Sequence, residues 1–441
     1  MDIEKKLEEL IPERMLKRGQ TTLETLLSPL RSVLHQQRFP DRSLTDLQID
    51  LLLKLLSSLD TDKDPEAARV GEREARIASP LVGELAAGFN HGVGRSGHVS
   101  APQPKAPGAS IMQEIANQVS LDAMRRLGLS NTHSGIVLPL STGMSLALTL
   151  AAFRRELSVK EVLYPRIDHL SPQRGIELSG LSLITSPTVL NEDKVECDLS
   201  ELERLIVTHK DAAVLGTTTF FPPRSPDPVK EIAKLCEEHG LPFIINNAYG
   251  VQSREVMDLI RASIDAGRVD VVIQSGDKNF LAPVGSSIVV SPDETTINHI
   301  AETYAGRATA APIAQTLAAL LALGLERYEG LRDQQVECRE YLETRLLEIA
   351  SEAGQRLLDI HNPVAAAITL DGVDVGSLGG RLYNRRVTGP RAIVAGGFGS
   401  CIDKYPSSYL VFNAAIGATK NDILEATTKL YKELSSSTRT A

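Results

Sequence analysis

Residues 212–248, AAVLGTTTFFPPRSPDPVKEIAKLCEEHGLPFIINNA, contain the pattern that decides the predicted fold. A short apolar run at the start is followed by an amphipathic segment, DPVKEIAKLCEEHG, and then by a second short apolar run, PFII. Short apolar strands separated by amphipathic helices are typical of α/β proteins with a parallel sheet. The stretch therefore predicts a strand, a helix and a second strand lying parallel to the first.

The same alternation extends in both directions from this stretch. Earlier in the chain GIVLPL precedes GMSLALTLAAFRREL, and later SREVMDLIRASIDAG precedes VDVVIQ and SSIVVS. We therefore predict an α/β fold with a mainly parallel sheet. Ligands of such sheets bind at the carboxyl ends of the strands. Because Lys278, Asn246 and the loop at Ser141 each follow a strand-like run, we expect them to converge there.

The chain is predicted to have three parts. Residues 1–70 form a helical N-terminal extension, because apolar residues recur there at helical spacing. Ser43 followed by Asp46 resembles a capping box for one of these helices. Residues 71–310 form the α/β domain, and residues 311–441 form a small α+β C-terminal domain that begins with two long helices. The sequence leaves open whether the extension packs on a partner subunit or contacts RNA.

Composition excludes several classes of protein. The chain has 441 residues and a net charge of −9, which disfavours a non-specific nucleic-acid binder but permits a local basic surface that docks one structured RNA. The absence of Trp and an aromatic content of 4% argue against a base-stacking platform. Four scattered cysteines with no CxxC pair predict neither a metal site nor a disulfide framework.

Nothing in the sequence predicts export or insertion into a membrane. No apolar run approaches the roughly 20 residues of a transmembrane helix, and the N-terminus MDIEKKLEELIPERMLKRG is too charged for a signal peptide. We expect a cytoplasmic protein.

Lys278, in QSGDKNF, lies just after the apolar run VDVVI and is a candidate for a Schiff-base lysine. A lysine of this kind needs a cofactor held by separate anchors. The turn STGMS, with Ser141, Thr142 and Gly143, can cradle a phosphate at a helix N-terminus. Asn246 follows a strand and can meet a pyridine nitrogen, and His169 can lie over the ring or near the substrate. Taken singly, each feature also has a structural interpretation: Lys278 as a solvated lysine, the STGMS turn as a helix cap and His169 as a structural histidine.

The order of these features resembles the fold-type-I, aspartate-aminotransferase-like enzymes that use pyridoxal 5′-phosphate. The motifs GEREAR, HGVGRSGHVSAPQPKAPGAS, INNAYG and SGDKNFLAPVGSSIV resemble more narrowly the O-phosphoseryl-tRNA(Sec) selenium transferase family of archaeal type, over nearly the whole chain. The resemblance implies conversion of phosphoseryl-tRNA(Sec) to selenocysteinyl-tRNA(Sec), with selenophosphate as selenium donor. It also implies a homotetramer, a dimer of dimers, with active sites at the dimer interface.

The resemblance assigns roles to individual residues. Lys278 is the lysine that carries the cofactor, and Arg73 matches a residue at the cofactor. Arg391 matches an arginine that touches the tRNA. The residues implied to bind the phosphorylated substrate are Arg95, Ser96, Gln103, Lys105 and Arg307. Guanidinium groups suit such a substrate because they are planar and permanently charged.

Asn246 departs from the usual fold-type-I pattern, in which an aspartate holds the pyridine nitrogen protonated. An amide provides no ionic partner for the ring nitrogen, so we expect the cofactor to be a weaker electron sink. A weaker sink is sufficient when the leaving group is as good as phosphate. His169 is a second departure, since the family more often has a glutamine there.

Two rival functions stay open at this stage. The first is a pyridoxal-phosphate lyase or decarboxylase acting on a free amino acid. It would use Lys278 in the same way but would give the GRSG loop no function. A non-catalytic tRNA-binding scaffold would need neither Lys278 nor Arg95.

Overall fold

The structure, a computed structural model of the chain, describes residues 3–10 and 12–437. The helices are α1 Ile3–Leu10, α2 Glu13–Gln36, α3 Asp46–Ser57, α4 Pro80–Leu85, α5 Pro107–Arg126, α6 Thr142–Glu156, α7 Leu170–Leu178, α8 Leu199–Thr208, α9 Val229–His239, α10 Arg254–Ala266, α11 Gly276–Phe280, α12 Glu294–Thr303, α13 Ala311–Glu352, α14 Val375–Asn384 and α15 Lys420–Ser437. The strands are β1 Ser134–Leu138, β2 Glu161–Pro165, β3 Ser182–Ser186, β4 Thr188–Asn191, β5 Lys194–Cys197, β6 Ala212–Thr217, β7 Phe243–Asn246, β8 Val271–Ser275, β9 Ser287–Ser291, β10 Ala365–Thr369, β11 Arg391–Ile393 and β12 Tyr409–Asn413.

Within the described residues, the central sheet has seven strands in the order β1-β9-β8-β7-β6-β2-β3. The strands from β8 through β7, β6 and β2 to β3 are parallel. Strand β9 runs antiparallel to both of its neighbours, β1 and β8. The prediction of a mainly parallel α/β sheet is confirmed. Strands β6, β7 and β8 are buried along their whole length, which explains their continuous apolar sequences.

Helix α13 is bent where the N-terminal segment crosses it. Gly324 has a left-handed φ of 61° and interrupts the helical backbone. Residues 40–44 fill the break: the amide of Leu44 donates to the carbonyl of Leu321 at 2.8 Å, and the amide of Leu325 donates to the carbonyl of Pro40 at 2.8 Å. The extension therefore satisfies backbone groups that the bend in α13 leaves free.

The hydroxyl of Ser43 donates to the carbonyl of Leu323 at 2.7 Å, at the same bend. The residue that caps α3 is Thr45, whose side chain accepts from the amide of Gln48 while the Gln48 side chain accepts from the amide of Thr45. The predicted capping box at Ser43 is therefore wrong. A serine three residues before an acidic residue fits the sequence pattern of a capping box. The Ser43 hydroxyl instead bonds to Leu323, which lies 280 residues away in the sequence.

A second, smaller sheet contains β10, β12 and β11 in that order, all antiparallel. It packs with the second half of α13 and with α14 and α15 around a separate apolar cluster that includes Leu346, Ile368, Leu410 and Leu430. The apolar side chains of α2 and α3 instead join the core of the central sheet. The domain boundaries predicted at residues 70 and 310 stay predictions.

No helix among residues 3–10 and 12–437 is both long enough and apolar enough to cross a membrane.

Substitution of Gly324 tests the bend in α13. A Cβ at this position would lie 2.7 Å from the backbone carbonyl carbon of Arg42 and from the amide nitrogen of Ser43, and φ is left-handed. We expect Gly324→Ala to lower the free energy of unfolding by more than about 1 kcal/mol. Gly330 in the same helix has open space around its Cα, so Gly330→Ala should be neutral or stabilising by up to about 1 kcal/mol. Urea denaturation of both variants checks the difference, and equal midpoints would contradict this account of the bend.

Candidate active site

A cavity of about 390 Å³ opens at the carboxyl ends of β6, β7 and β8. Its walls come from the strand ends, from the loops that follow them and from the small C-terminal sheet. The lining residues are Ile167, His169, Pro172, Thr217, Thr219, Phe220, Phe221, Asn246, Ala248, Tyr249, Gln252, Asp277, Lys278, Leu281, Val364, Asn413, Ala415 and Ile416. Lys278, Asn246 and His169 therefore meet in one cavity.

Lys278 lies in the single turn α11, directly after the buried strand β8. The turn is fixed by Asn279, which is fully buried. Its side-chain amide donates to the carbonyls of Ala248 at 3.0 Å and Ser275 at 2.8 Å, and its oxygen accepts from the amide of Val251 at 3.1 Å. These bonds tie the turn to the loop after β7, so the exposed Lys278 side chain starts from a rigid backbone.

Asn246 is the last residue of β7 and is 7% exposed. Its Oδ1 is buried and has no hydrogen-bond partner. A buried amide oxygen without a partner carries the full cost of its lost hydration, so it needs a donor from a ligand. The position and the free oxygen of Asn246 suit a protonated ring nitrogen.

His169 precedes α7 and lies edge-on to Phe220, with 6.3 Å between ring centroids. Burial, followed by the charges of Lys278 and Arg391, holds the pKa of His169 below its ordinary value, so the ring is neutral near pH 7. A neutral imidazole at this place can pack against a flat ligand without adding charge to the cavity.

Arg391 begins β11 and packs against Phe221, which lines the same cavity. Its guanidinium carbon is 4.6 Å from the centroid of the Phe221 ring. Phe221 in turn stacks on Tyr249, with 6.0 Å between centroids and 24° between planes. The predicted tRNA contact therefore lies within reach of the lysine cavity, while the structure itself shows only its contact with an aromatic ring.

Ser141, Thr142 and Gly143 form the start of α6 beside this cavity, although they are not among its lining residues. The Ser141 side chain makes no capping bond, and Thr142 Oγ1 is buried without a partner. A Cβ on Gly143 would overlap the hydroxyl of Ser171, two residues after His169. Both hydroxyls and the first amides of α6 are thus available to an anion next to the His169 loop.

The cavity fits pyridoxal phosphate in size and in polar groups. Its volume falls within the range of small-molecule sites. Several buried polar atoms in its walls have no hydrogen-bond partner: Asn246 Oδ1, Thr219 Oγ1, Tyr249 Oη and Asn413 Oδ1. A ligand that combines a flat ring with several polar substituents satisfies this set.

Arg73 and Arg307 line a different cavity, of about 510 Å³, together with Asn90 and His91. A terminal nitrogen of Arg307 donates to the carbonyl of His91, while its Nε is buried without a partner. Burial and the charge of Arg73 both lower the pKa of Arg307. In a single chain, the structure thus brings these two predicted residues together but not with Lys278.

The GRSG segment forms a tight turn in which the backbones of Arg95 and His98 bond to each other. The side chains of Arg95 and Ser96 are exposed. Val93, two residues before Arg95, exchanges backbone hydrogen bonds of 2.9 and 3.1 Å with Ala308. These bonds link the turn to the Arg307 loop.

Gln103 and Lys105 lie close to this turn but have partners within the chain. The Gln103 side-chain amide donates to the carbonyl of Gly94 at 3.3 Å. The Lys105 ammonium pairs with Glu74, whose side chain is 8% exposed. This pairing partly neutralises the charge of Lys105, and its predicted role in substrate binding stays a prediction.

Sequence reasoning missed several residues of the lysine cavity, among them Phe220, Phe221 and Asn413. The aromatic pair follows the strand run in TTTFF, and Asn413 ends the run YLVFN. The rule that ligands bind at strand carboxyl ends could have found the pair. Asn413 belongs to a different sheet, so only tertiary structure places it here.

Known proteins resemble this chain over nearly its whole length. Residues 59–435 match the family model described as O-phosphoseryl-tRNA(Sec) selenium transferase, SepSecS. The O-phosphoseryl-tRNA(Sec) selenium transferase of Methanopyrus kandleri is 45% identical over 96% of this chain and 99% of its own. That of Methanocaldococcus jannaschii is 40% identical over 96% of this chain and 98% of its own.

Solved structures agree with this assignment. A crystal structure of archaeal O-phosphoseryl-tRNA(Sec) selenium transferase superimposes with a TM-score of 0.93 at 40% identity, covering 96% of this chain and 98% of that one. A rice enzyme solved with pyridoxal phosphate and tryptamine matches with a TM-score of 0.61 at 14% identity, over 97% of this chain and 98% of that chain, which shows a shared fold. By sequence over nearly its full length and by structure, this chain belongs to the O-phosphoseryl-tRNA(Sec) selenium transferase family of enzymes.

Proposed function

We propose that this chain converts O-phosphoseryl-tRNA(Sec) to selenocysteinyl-tRNA(Sec), with pyridoxal 5′-phosphate as cofactor and selenophosphate as selenium donor. Family membership supports the proposal. The structural observation that carries it is the meeting of Lys278 with the unpartnered Oδ1 of Asn246 in one cavity at the carboxyl ends of the sheet.

In this proposal, the cofactor is held by residues from four separate elements. Lys278 would hold its aldehyde group, Asn246 would hold its ring nitrogen, and His169 would hold its ring. Ser141, Thr142 and Gly143 are available for its phosphate. When bound, the cofactor supplies an electron sink for the negative charge that develops at the substrate Cα.

The residues of the chain bring about the proton movements. Lys278 Nζ, in the wall of the cavity, is placed to take the proton from Cα. Asp277 also lines the cavity and accepts from the Ser275 hydroxyl, which holds its carboxylate in place beside the lysine. Neutral His169 adds no charge that would compete with this transfer.

The arginines balance the charge of the phosphate that leaves Cβ. We assign this role to Arg95 of the GRSG turn and to Arg307, with Ser96 and Gln103 as hydrogen-bonding groups. The Val93–Ala308 bridge joins the backbone of the turn to that of the Arg307 loop, so the two arginines lie on linked segments. Lys105, paired with Glu74, is assigned to holding the start of α5 rather than to a full charge on the phosphate.

We propose that two chains complete each active site and that two such dimers form a tetramer. The placement of Arg73 and Arg307 in a cavity separate from Lys278 supports this, since both sets serve one substrate in the proposed reaction. Exposed apolar residues near each set, such as Val284 beside the Lys278 turn and Leu85 in α4, fit a covered surface in the assembly.

Arg391 is proposed to contact the tRNA, and we propose the cytoplasm as the place of the reaction. The contact of Arg391 with Phe221, a residue of the cavity wall, would bring the aminoacylated end of the tRNA near Lys278. Two arginines that precede Arg391 in the sequence, Arg381 and Arg385, both pair with the buried carboxylate of Glu433. Their contacts favour a structural role.

Lys278→Ala tests the assignment of the cofactor lysine. Because the side chain is exposed in the single chain, we expect folding and affinity for unacylated tRNA to stay nearly unchanged while selenium transfer is lost. Mass spectrometry after borohydride reduction should find cofactor on Lys278 in the wild type and none in the variant. Lys234→Ala, an exposed lysine of α9, should retain the adduct. A wild-type level of adduct in Lys278→Ala would overturn the assignment.

Asn246→Asp tests the pairing with the ring nitrogen. A carboxylate there strengthens the electron sink, so we expect more long-wavelength absorbance in the cofactor-loaded protein and more transamination as a side reaction. Asn413→Asp is the matched control, because Asn413 also has an unpartnered Oδ1 in the same cavity. Absorption spectra and side-product yields equal to those of wild type would show that Asn246 does not face the nitrogen.

Arg95→Ala separates recognition of the phosphoryl group from binding of the tRNA. A charge-assisted hydrogen bond contributes about 1.5–3 kcal/mol, so we expect the preference for phosphoseryl-tRNA over seryl-tRNA to fall about tenfold or more. Affinity for unacylated tRNA should change little, because tRNA is held mainly by phosphates elsewhere. Competition binding with the two aminoacylated tRNAs measures the preference.

A variant that discriminates as the wild type does would remove the GRSG turn from the phosphate site. Turnover of free phosphoserine by the wild type at the rate of the tRNA-linked form would favour the rival function, a lyase acting on free amino acids.

A further inference from the structure

Phe398 is an exposed aromatic residue on the loop between β11 and β12. All nine phenylalanines of the chain lie within the described residues, and Phe398 is 58% exposed while the other eight are buried or half-buried. Val394, in the same loop, is 55% exposed. The proposed function uses neither residue. Because single exposed apolar residues are common on protein surfaces, the surroundings of Phe398 decide whether it has a function.

The backbone that follows Phe398 is fixed through both of its polar groups. The amide of Gly399 donates to Asp168 Oδ2 at 3.0 Å, and the carbonyl of Gly399 accepts from the Tyr409 hydroxyl at 3.2 Å. The same Asp168 oxygen accepts from the amide of Cys401 at 2.8 Å, and Asp168 is buried. Phe398 therefore stands on a loop whose backbone is held in one place.

These bonds hold the loop beside the lysine cavity and beside Arg391. The aspartate that accepts both amides directly precedes His169, which lines the cavity. Arg391 and Ile393 share one face of β11, because side chains alternate along a strand. A Cβ on Gly399 would lie 2.9 Å from the Ile393 side chain. The residue after Phe398 therefore packs on the face of β11 that carries Arg391.

The neighbours of Phe398 in the sequence leave its ring uncovered. Phe398 lies in GGFGS, residues 396–400, so a glycine precedes it and another follows it. Glycine has no side chain that could shield the ring. At Gly399 the backbone also requires glycine, because φ is 115° and a Cβ would meet Ile393. The ring is therefore open to a flat partner.

An open aromatic ring near a guanidinium group fits an unpaired nucleobase. Bases of single-stranded nucleic acids stack on aromatic side chains and on arginine. Two exposed apolar side chains offer far less than the roughly 800 Å² per partner that a stable protein interface buries. One ring holds one base, so this site differs from the multi-base platform that an aromatic content of 4% argues against.

We propose that Phe398 stacks on an unpaired base at the 3′ end of the tRNA and so positions the aminoacyl group at the cavity. This inference rests on the proposed function, which puts the aminoacylated end of a tRNA near Lys278. Because every base has a flat face, Phe398 adds affinity for the unpaired end without selecting its sequence.

A trimmed tRNA tests the inference without turnover. Unacylated tRNA(Sec), and the same tRNA without its unpaired 3′ nucleotides, are titrated against the protein loaded with pyridoxal phosphate. We expect Phe398→Ala to weaken binding of the intact tRNA about fivefold or more and to leave binding of the trimmed tRNA unchanged. Phe398→Tyr keeps an aromatic ring and should bind both forms as the wild type does.

A tryptophan probe shows whether the ring itself meets the tRNA. The chain has no tryptophan, so Phe398→Trp contains a single indole. We expect the long-wavelength emission of a solvated indole in the free protein, and quenching by the intact tRNA but not by the trimmed one. Leu157→Trp is the control, because Leu157 is also exposed and follows the far end of α6, about 22 Å from the start of that helix. Its emission should not respond to the 3′ end.

Equal weakening of both tRNA forms by Phe398→Ala, or no weakening of either, would overturn the inference and leave the proposed function standing. Short-wavelength emission from Phe398→Trp before tRNA is added would show that another subunit covers the ring, and would also overturn it. Failure of the wild type to bind either form of the tRNA would overturn the proposed function together with the inference, so the two failures are distinguishable.

Discussion

The parallel hydrogen-bond register of β6, β7 and β8 is the constraint on which the lysine cavity depends. Thr217 at the end of β6 lies opposite Asn246 at the end of β7, and Asn246 lies opposite Ile273 of β8. Because parallel strands end at the same edge, their last residues and the turn carrying Lys278 meet there. The Asn279 side chain then links that turn to the loop after β7, so register and lysine position are coupled.

The same edge is closed by elements far apart in the sequence. Arg391 and Asn413 come from the small C-terminal sheet, and the bent helix α13 connects that sheet to the central core. Residues 40–44 of the N-terminal segment occupy the bend at Gly324 and bond to both sides of the break. The N-terminal extension is therefore part of the scaffold that orients the C-terminal wall of the cavity.

The two cavities of the chain differ in the polar groups they offer. The lysine cavity has mostly neutral acceptors and hydroxyls around one amine, which suits a flat cofactor. The second cavity has two guanidinium groups together with Asn90 and His91. Their separation in one chain is the reason that a second subunit enters the proposed reaction.

The sequence by itself determined the sheet and the residues at its carboxyl edge, because apolar runs, helical spacing and strand-end positions are local properties. It therefore predicted that Lys278, Asn246 and the loop at Ser141 converge, with His169 near the same ligand, and its motifs indicated the family. Of these, Lys278, Asn246 and His169 line one cavity, while Ser141 does not. It could not determine the partner of Ser43 or the pairing of Lys105 with Glu74. Each of these depends on atoms brought together from distant parts of the chain. Only the packing of helices and loops decided which polar groups were satisfied internally and which were left for a ligand.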